Sequence, residues 1–179
     1  MVVDQKLAVD HPSWRPTPRI SGGIDESMAN DLADMLGKQL VLYAEASASV
    51  KAEQSNLSRV DFKALAYVAE FEPLPTGHLA QLMGLSHGGV TAIINRLEEQ
   101  GFIRRDRSVK DRRLVMLTLA LESGIDLVFP DHVRRALADA SRGFNTEQLL
   151  DIRQFLERCI HVLQRDTRSW LISKEQGGS

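Results

Sequence analysis

The chain has 179 residues, 43% of them hydrophobic and 26% charged, the balance of an ordinary soluble globular protein with one domain as the starting expectation. Its single cysteine, Cys159, excludes an intrachain disulfide and suits a reducing compartment. The net charge is −2, so overall charge by itself does not point to a nucleic-acid partner. The opening MVVDQKLAVD carries charges where a secretory signal needs an apolar core. No stretch approaches the roughly 18 apolar residues of a membrane span. A cytoplasmic location without a membrane partner is therefore expected.

In chain order, residues 1–24 read as an arm, because Pro12, Pro16 and Pro18 break helices and Gly22-Gly23 closes the segment with a flexible joint. The arm is either a disordered tail or a strap anchored through Trp14. A first helix is predicted from Asp25 to Lys51, with Leu32, Leu36, Leu40, Tyr43 and Val50 at helical spacing. Ser58, with Asp61 three residues on, predicts the capped start of a second helix that stops before Pro73-Leu74-Pro75. Thr76 caps a short third helix ended by Gly84, and Ser86 caps a fourth ended by Gly101. The period then changes: Phe102–Arg105 and Leu114–Thr118 read as two strands of a hairpin with a charged tip. A fifth helix is expected over Glu122–Ser141, with Ile125, Val128, Val133 and Leu137 on one face and a kink at Pro130. A sixth runs from the Asn145/Thr146 cap to Ile172. Leu149, Ile152, Leu156, Cys159, Leu163 and Trp170 follow steps of three and four along it, the pattern of a seam that another helix covers.

The third and fourth helices meet the requirements of a helix-turn-helix. Ala80 is small enough for the second helix to approach, Gly84 can take the backbone of the turn, and Val90 plugs the angle between the helices. On the fourth helix Val90, Ile93, Ile94 and Leu97 form a buried face. The opposite face presents Gly88, Thr91, Ala92 and Asn95, with Ser86, His87 and Arg96 at its edges. Such a small, polar surface can enter a major groove closely, and Asn, Thr and His can bond base edges or phosphates. Gly88-Gly89 weakens the helix start, since each glycine costs about 1 kcal/mol there; close approach to a phosphate backbone or a loose first turn both account for it. From Arg96 to Arg113, seven bases face four acids, a net of +3, which leaves −5 for the rest of the chain. That is a basic patch on an acidic body, able to steer toward phosphates.

The run LAQLMGLSHGGVTAIINRLEEQGFIRRDRSVKDRRLVMLTL resembles the winged helix-turn-helix core of MarR-family regulators. The matching pieces are the GLS…VT…RLE..G helix, the RR strand start, and the DRR wing ahead of an L.LT strand. The flanking helices match in order and length, so the resemblance covers roughly residues 25–172. It implies a mainly α fold with a small β-hairpin wing: a winged helix-turn-helix DNA-binding lobe (58–120) and a helical dimerisation lobe (25–57 and 121–172), flanked by the arm and a polar tail (173–179). It also implies a homodimer on near-palindromic double-stranded DNA, functioning as a repressor released by a small phenolic or anionic effector. In the wing, Arg113 matches the arginine that enters a minor groove and Asp111 the aspartate that orients it. Arg112 and Lys110 would meet phosphates. Tyr43, Phe62 and Phe129 are candidates to line an effector pocket, core packing being the other role open to each.

No nucleophile motif, phosphate loop or metal-ligand spacing appears, so no enzyme, cofactor or resident metal is expected. Two alternatives stay open at this level. One is a winged helix that binds protein instead of DNA. The other is a metal-responsive regulator whose scattered histidines, His11, His78, His87, His132 and His161, meet in space. Cys159 sits at a seam position and reads as a buried hydrophobe, not a redox sensor.

Overall fold

The computed structural model describes residues 25–108, 111–120 and 129–176. The arm with Trp14, wing residue Lys110, and Ile125 and Val128 of the expected fifth helix lie outside the described residues. The chain divides into two units, Met1–Val41 and Leu42–Ser179. In the first, helix α1 (Glu26–Asp34) starts at Asp25, whose carboxylate accepts the N–H groups of Ser27 and Met28 at 3.0 and 3.2 Å. A π-helical segment follows over Met35–Leu40, where a uniform α-helix was expected. Apolar spacing does not distinguish the two ladders over so short a stretch.

Helix α2 (Val41–Gln54) runs three residues past the expected end at Lys51. It stops where Asn56 takes a left-handed backbone (φ 54°) and Leu57 donates back to the Ala52 carbonyl at 3.0 Å. Helix α3 (Arg59–Phe71) begins at Ser58 as expected: the Ser58 hydroxyl accepts the Asp61 N–H at 3.1 Å and donates to the Asp61 carboxylate at 2.7 Å.

Strand β1 (Leu74–Pro75) was not anticipated, because two prolines read as a simple break. It pairs antiparallel with β3 (Val115–Leu119), which pairs with β2 (Ile103–Arg107), giving the order β1-β3-β2. Pro75 is tolerated there because β1 is an edge strand, with an N–H side that needs no ladder partner. The hairpin strands sit about one residue later than the composition shift suggested, with Ile103 opposite Leu119 and Arg107 opposite Val115.

Helices α4 (Thr76–Met83) and α5 (His87–Glu99) pack with α3 over the inner face of this sheet. The core is one cluster. Leu65, Val68, Leu79, Val90, Leu97, Ile103 and Leu117 are all 2% exposed or less. Each such side chain contributes about 1.5–3 kcal/mol relative to remaining in water, so this cluster holds α3, α4, α5 and the sheet as one body.

Helix α6 (Asp131–Ala140) corrects the expected kink at Pro130, while 122–128 of the expected helix lie outside the described residues. Pro130 does not sit inside the helix; it precedes it, with φ −51° and ψ 146°. A proline has no N–H to give to an interior turn and clashes with the carbonyl four residues back. Its fixed φ favours a helix start instead. After a 3-10 turn at Ser141–Gly143, helix α7 (Thr146–Gln176) opens with a reciprocal box: Gln148 N–H to the Asn145 side-chain oxygen and Asn145 N–H to the Gln148 side-chain oxygen, each 2.9 Å. At 31 residues, α7 is about 46 Å long. Its contact with α3 includes Gln164 donating to the Glu70 carboxylate at 2.8 Å. Leu171 is buried, whereas Leu156, Ile160, Leu163 and Trp170 are 39–66% exposed in the single chain. Among the described residues no helix is long and apolar enough to cross a membrane.

Candidate nucleic-acid interface

The turn between α4 and α5 has the geometry the residue types demand. Gly84 ends α4 at φ 65° and ψ 32°, a conformation that costs an L side chain about 1–2 kcal/mol. The Gly84 and Leu85 N–H groups then reach back to the Gln81 and Ala80 carbonyls at 3.1 and 3.0 Å. Ser86 starts α5 by accepting the Gly89 N–H on its hydroxyl at 3.3 Å. Ala80 and Val90, 5% and 2% exposed, fill the angle between the helices, as the spacing predicted.

Helix α5 has two distinct faces. Val90, Ile93, Ile94 and Leu97 are buried. Ser86, His87, Gly88, Thr91, Ala92, Asn95 and Arg96 are all exposed. The Thr91 hydroxyl donates to the His87 carbonyl at 2.7 Å, which leaves its lone pairs outward. Beyond its own helical turn, no atom lies within 4 Å of where a Cβ on Gly88 would sit. The bare backbone at that point therefore faces open space, and internal packing does not require a glycine.

Two of these side chains are already engaged. Arg96 forms a two-pronged ion pair with Asp61 of α3, Nη2 to Oδ1 at 2.6 Å and Nε to Oδ2 at 3.2 Å. Asp61 is 6% exposed, and its hydrogen bonding raises the Arg96 pKa further above its ordinary high value. One carboxylate thus bonds the cap of α3 and ties that cap to α5. The sequence showed only the capping role, because a contact 35 residues away leaves no local signal. Asn95 accepts a hydrogen bond on Oδ1 from Arg105 of β2, and the same guanidinium pairs with Glu98 through Nε at 3.1 Å. Strand alternation could have flagged Arg105. Its pairing opposite the fully buried Leu117 sets it on the inward face with Ile103.

The wing tip lies between β2 and β3. Asp111, Arg112 and Arg113 are exposed. The Asp111 carboxylate accepts the backbone N–H of Arg113 at 2.9 Å, and the Asp111 carbonyl accepts the Leu114 N–H at 3.0 Å. The aspartate thus shapes the turn that presents Arg113. Arg104 and Arg107 add exposed positive charge along β2.

The three residues suggested for an effector pocket occupy different environments. Tyr43 is 70% exposed, Phe62 is in the core at 4%, and Phe129 is half-buried. Phe62 packs within the core cluster. Among the described residues no group of three His, Cys, Asp or Glu side chains is placed to hold a metal ion.

Comparison with known proteins agrees with this architecture. A model described as MarR family matches residues 55–114, the span of α3 through the wing tip. The HTH-type transcriptional regulator YcgE of Bacillus subtilis is 30% identical over 144 residues, covering 79% of this chain and 90% of the relative. Among solved structures, a mutant MepR from an S. aureus clinical isolate superposes with a TM-score of 0.54 at 18% identity, over 80% of this chain and 99% of that one. The transcriptional regulator Tm0710 of Thermotoga maritima gives 0.50 at 19% identity, over 79% and 96%. These two likenesses speak to the fold. The family match and the near full-length relative establish that the chain belongs to the MarR family of winged helix-turn-helix transcriptional regulators.

Proposed function

We propose that the protein is a cytoplasmic transcriptional regulator that binds a near-palindromic double-stranded DNA operator as a homodimer. The observation that carries this reading is the pairing of α5's exposed small and polar face with a wing that presents Arg112 and Arg113. The helix fits a major groove, while the wing arginines are suited to phosphates and to the negative potential of a narrow minor groove. The dimer follows from α7. Its exposed Ile160, Val162 and Leu163 need a cover, and a two-fold partner would supply the same surface in return. Two copies would place their α5 helices about one DNA turn apart, ~34 Å. Repression, relieved by a small phenolic or anionic effector, completes the reading and rests on family membership alone.

Genomic footprinting with the purified protein tests it. The expected outcome is a set of protected sites sharing an inverted repeat, with affinity falling steeply as salt rises. About six to ten phosphate contacts lose a thousandfold or more between 50 and 200 mM salt. Protection of no site, at low salt and micromolar dimer, overturns it.

A further inference from the structure

The contact between Arg105 and Asn95 fixes which way an amide on the recognition helix faces. A guanidinium has donors and no acceptor, so the side-chain atom of Asn95 that meets it must be the carbonyl oxygen. Arg105 is itself held. Its Cα is paired opposite the fully buried Leu117, its side chain is only 30% exposed, and the Glu98 carboxylate lies 3.1 Å from Nε as an ion pair without hydrogen-bond geometry. Asn95 and Glu98 are three residues apart on α5 and so lie side by side, and the guanidinium bridges them. The Asn95 amide cannot turn over without breaking this charge-assisted bond.

We propose that Arg105 acts as a positioning residue for sequence readout, holding Asn95 with its NH2 group outward so that α5 selects base edges carrying acceptors. Guanine, through O6 and N7, and thymine, through O4, present acceptors there; adenine also offers N7 but sets its N6 donor beside it. An unrestrained asparagine pairs best with adenine, donating to N7 and accepting from N6. Here the oxygen has one lone pair spent and a cation beside it, so a base-edge N–H arriving there meets positive charge. This inference rests on the DNA-binding reading above and specifies one of its contacts.

Binding-site selection from a random duplex pool tests it, comparing the wild-type chain with Asn95→Ala, Asn95→Asp, Arg105→Gln and Arg105→Lys. The position that loses its preference in Asn95→Ala is the one Asn95 reads. There the wild type is expected to favour guanine or thymine over adenine by about tenfold. Asn95→Asp keeps an oxygen for Arg105 but turns an acceptor outward, so cytosine or adenine should replace them. Arg105→Gln removes the positive charge beside the amide and shortens its donor, and should admit adenine, while Arg105→Lys restores the wild-type choice by keeping a charged donor. A purely structural Arg105 would lower thermal stability or affinity without changing the base chosen. If Arg105→Gln fails to fold, the wild-type and Asn95→Asp selections still decide. Adenine preferred by the wild type, or an unchanged base in Asn95→Asp, overturns the proposal while leaving DNA binding intact. A wild-type chain that enriches no sequence at all overturns the DNA-binding reading and this contact with it.

Discussion

Gly88 separates stability from function more cleanly than any other position on α5. It lies in the first turn of the helix, outside the set of residues with positive φ, and a Cβ added there meets nothing within 4 Å beyond its own helical turn. Gly88→Ala should therefore introduce no clash in the free protein. It removes backbone freedom from the unfolded chain, which stabilises the fold by about 0.4–1 kcal/mol. For a body of this size that is a rise of about 1–4 °C in Tm. The effect on DNA should have the opposite sign. If the bare backbone allows close approach to a duplex, a methyl group there costs about 1 kcal/mol or more, a fivefold to tenfold weaker Kd. Thermal unfolding by circular dichroism and fluorescence anisotropy with an operator duplex read the two effects independently. A higher Tm with unchanged or tighter binding would refute the view that Gly88 is kept for contact with DNA. A lower Tm would refute the assignment of the residue to an unstrained helical turn.

Other substitutions probe the remaining parts. Arg113→Ala should weaken operator binding by about 1–3 kcal/mol while leaving the melting curve unchanged, as anisotropy and circular dichroism on the same sample would show. Leu97→Ala, at a fully buried site, should cost about 2–5 kcal/mol in denaturant unfolding, because neighbouring core groups cannot close the cavity completely. Leu163→Asp changes a side chain 66% exposed in the single chain. It should leave the secondary structure intact yet shift sedimentation from dimer to monomer, a result the wild type must not show at micromolar concentration. Gly84→Ala, at φ 65° with open space around the new methyl, should lower stability by about 1–2 kcal/mol through backbone strain alone.

Local signals were legible wherever neighbouring residues decide the outcome. Ser58 with Asp61, Asn145 with Gln148, and Gly84 each satisfy groups within a few residues of themselves, so capping and turn chemistry placed the starts of α3 and α7 and the end of α4. The buried stripe of α5, Val90, Ile93, Ile94 and Leu97, follows from helical period once a core lies on one side. That stripe leaves the opposite face exposed, and the exposure of the candidate residues was readable for the same reason.

The remainder depended on contacts between segments far apart in the chain. Arg96 looked like an edge residue of the recognition face until α3 brought Asp61 against it. Arg105 was one more base of the Arg96–Arg113 stretch until the β2–β3 pairing turned it inward onto Asn95 and Glu98. β1 is a strand only because β3 lies beside it, and Pro130 became a helix start instead of a kink once the helix was placed after it. Composition, period and caps are properties of a few consecutive residues, and this sequence determined them unaided. Which charges are tied down and which stay available to a partner depends on distances across the fold, and those exist only after packing has closed them.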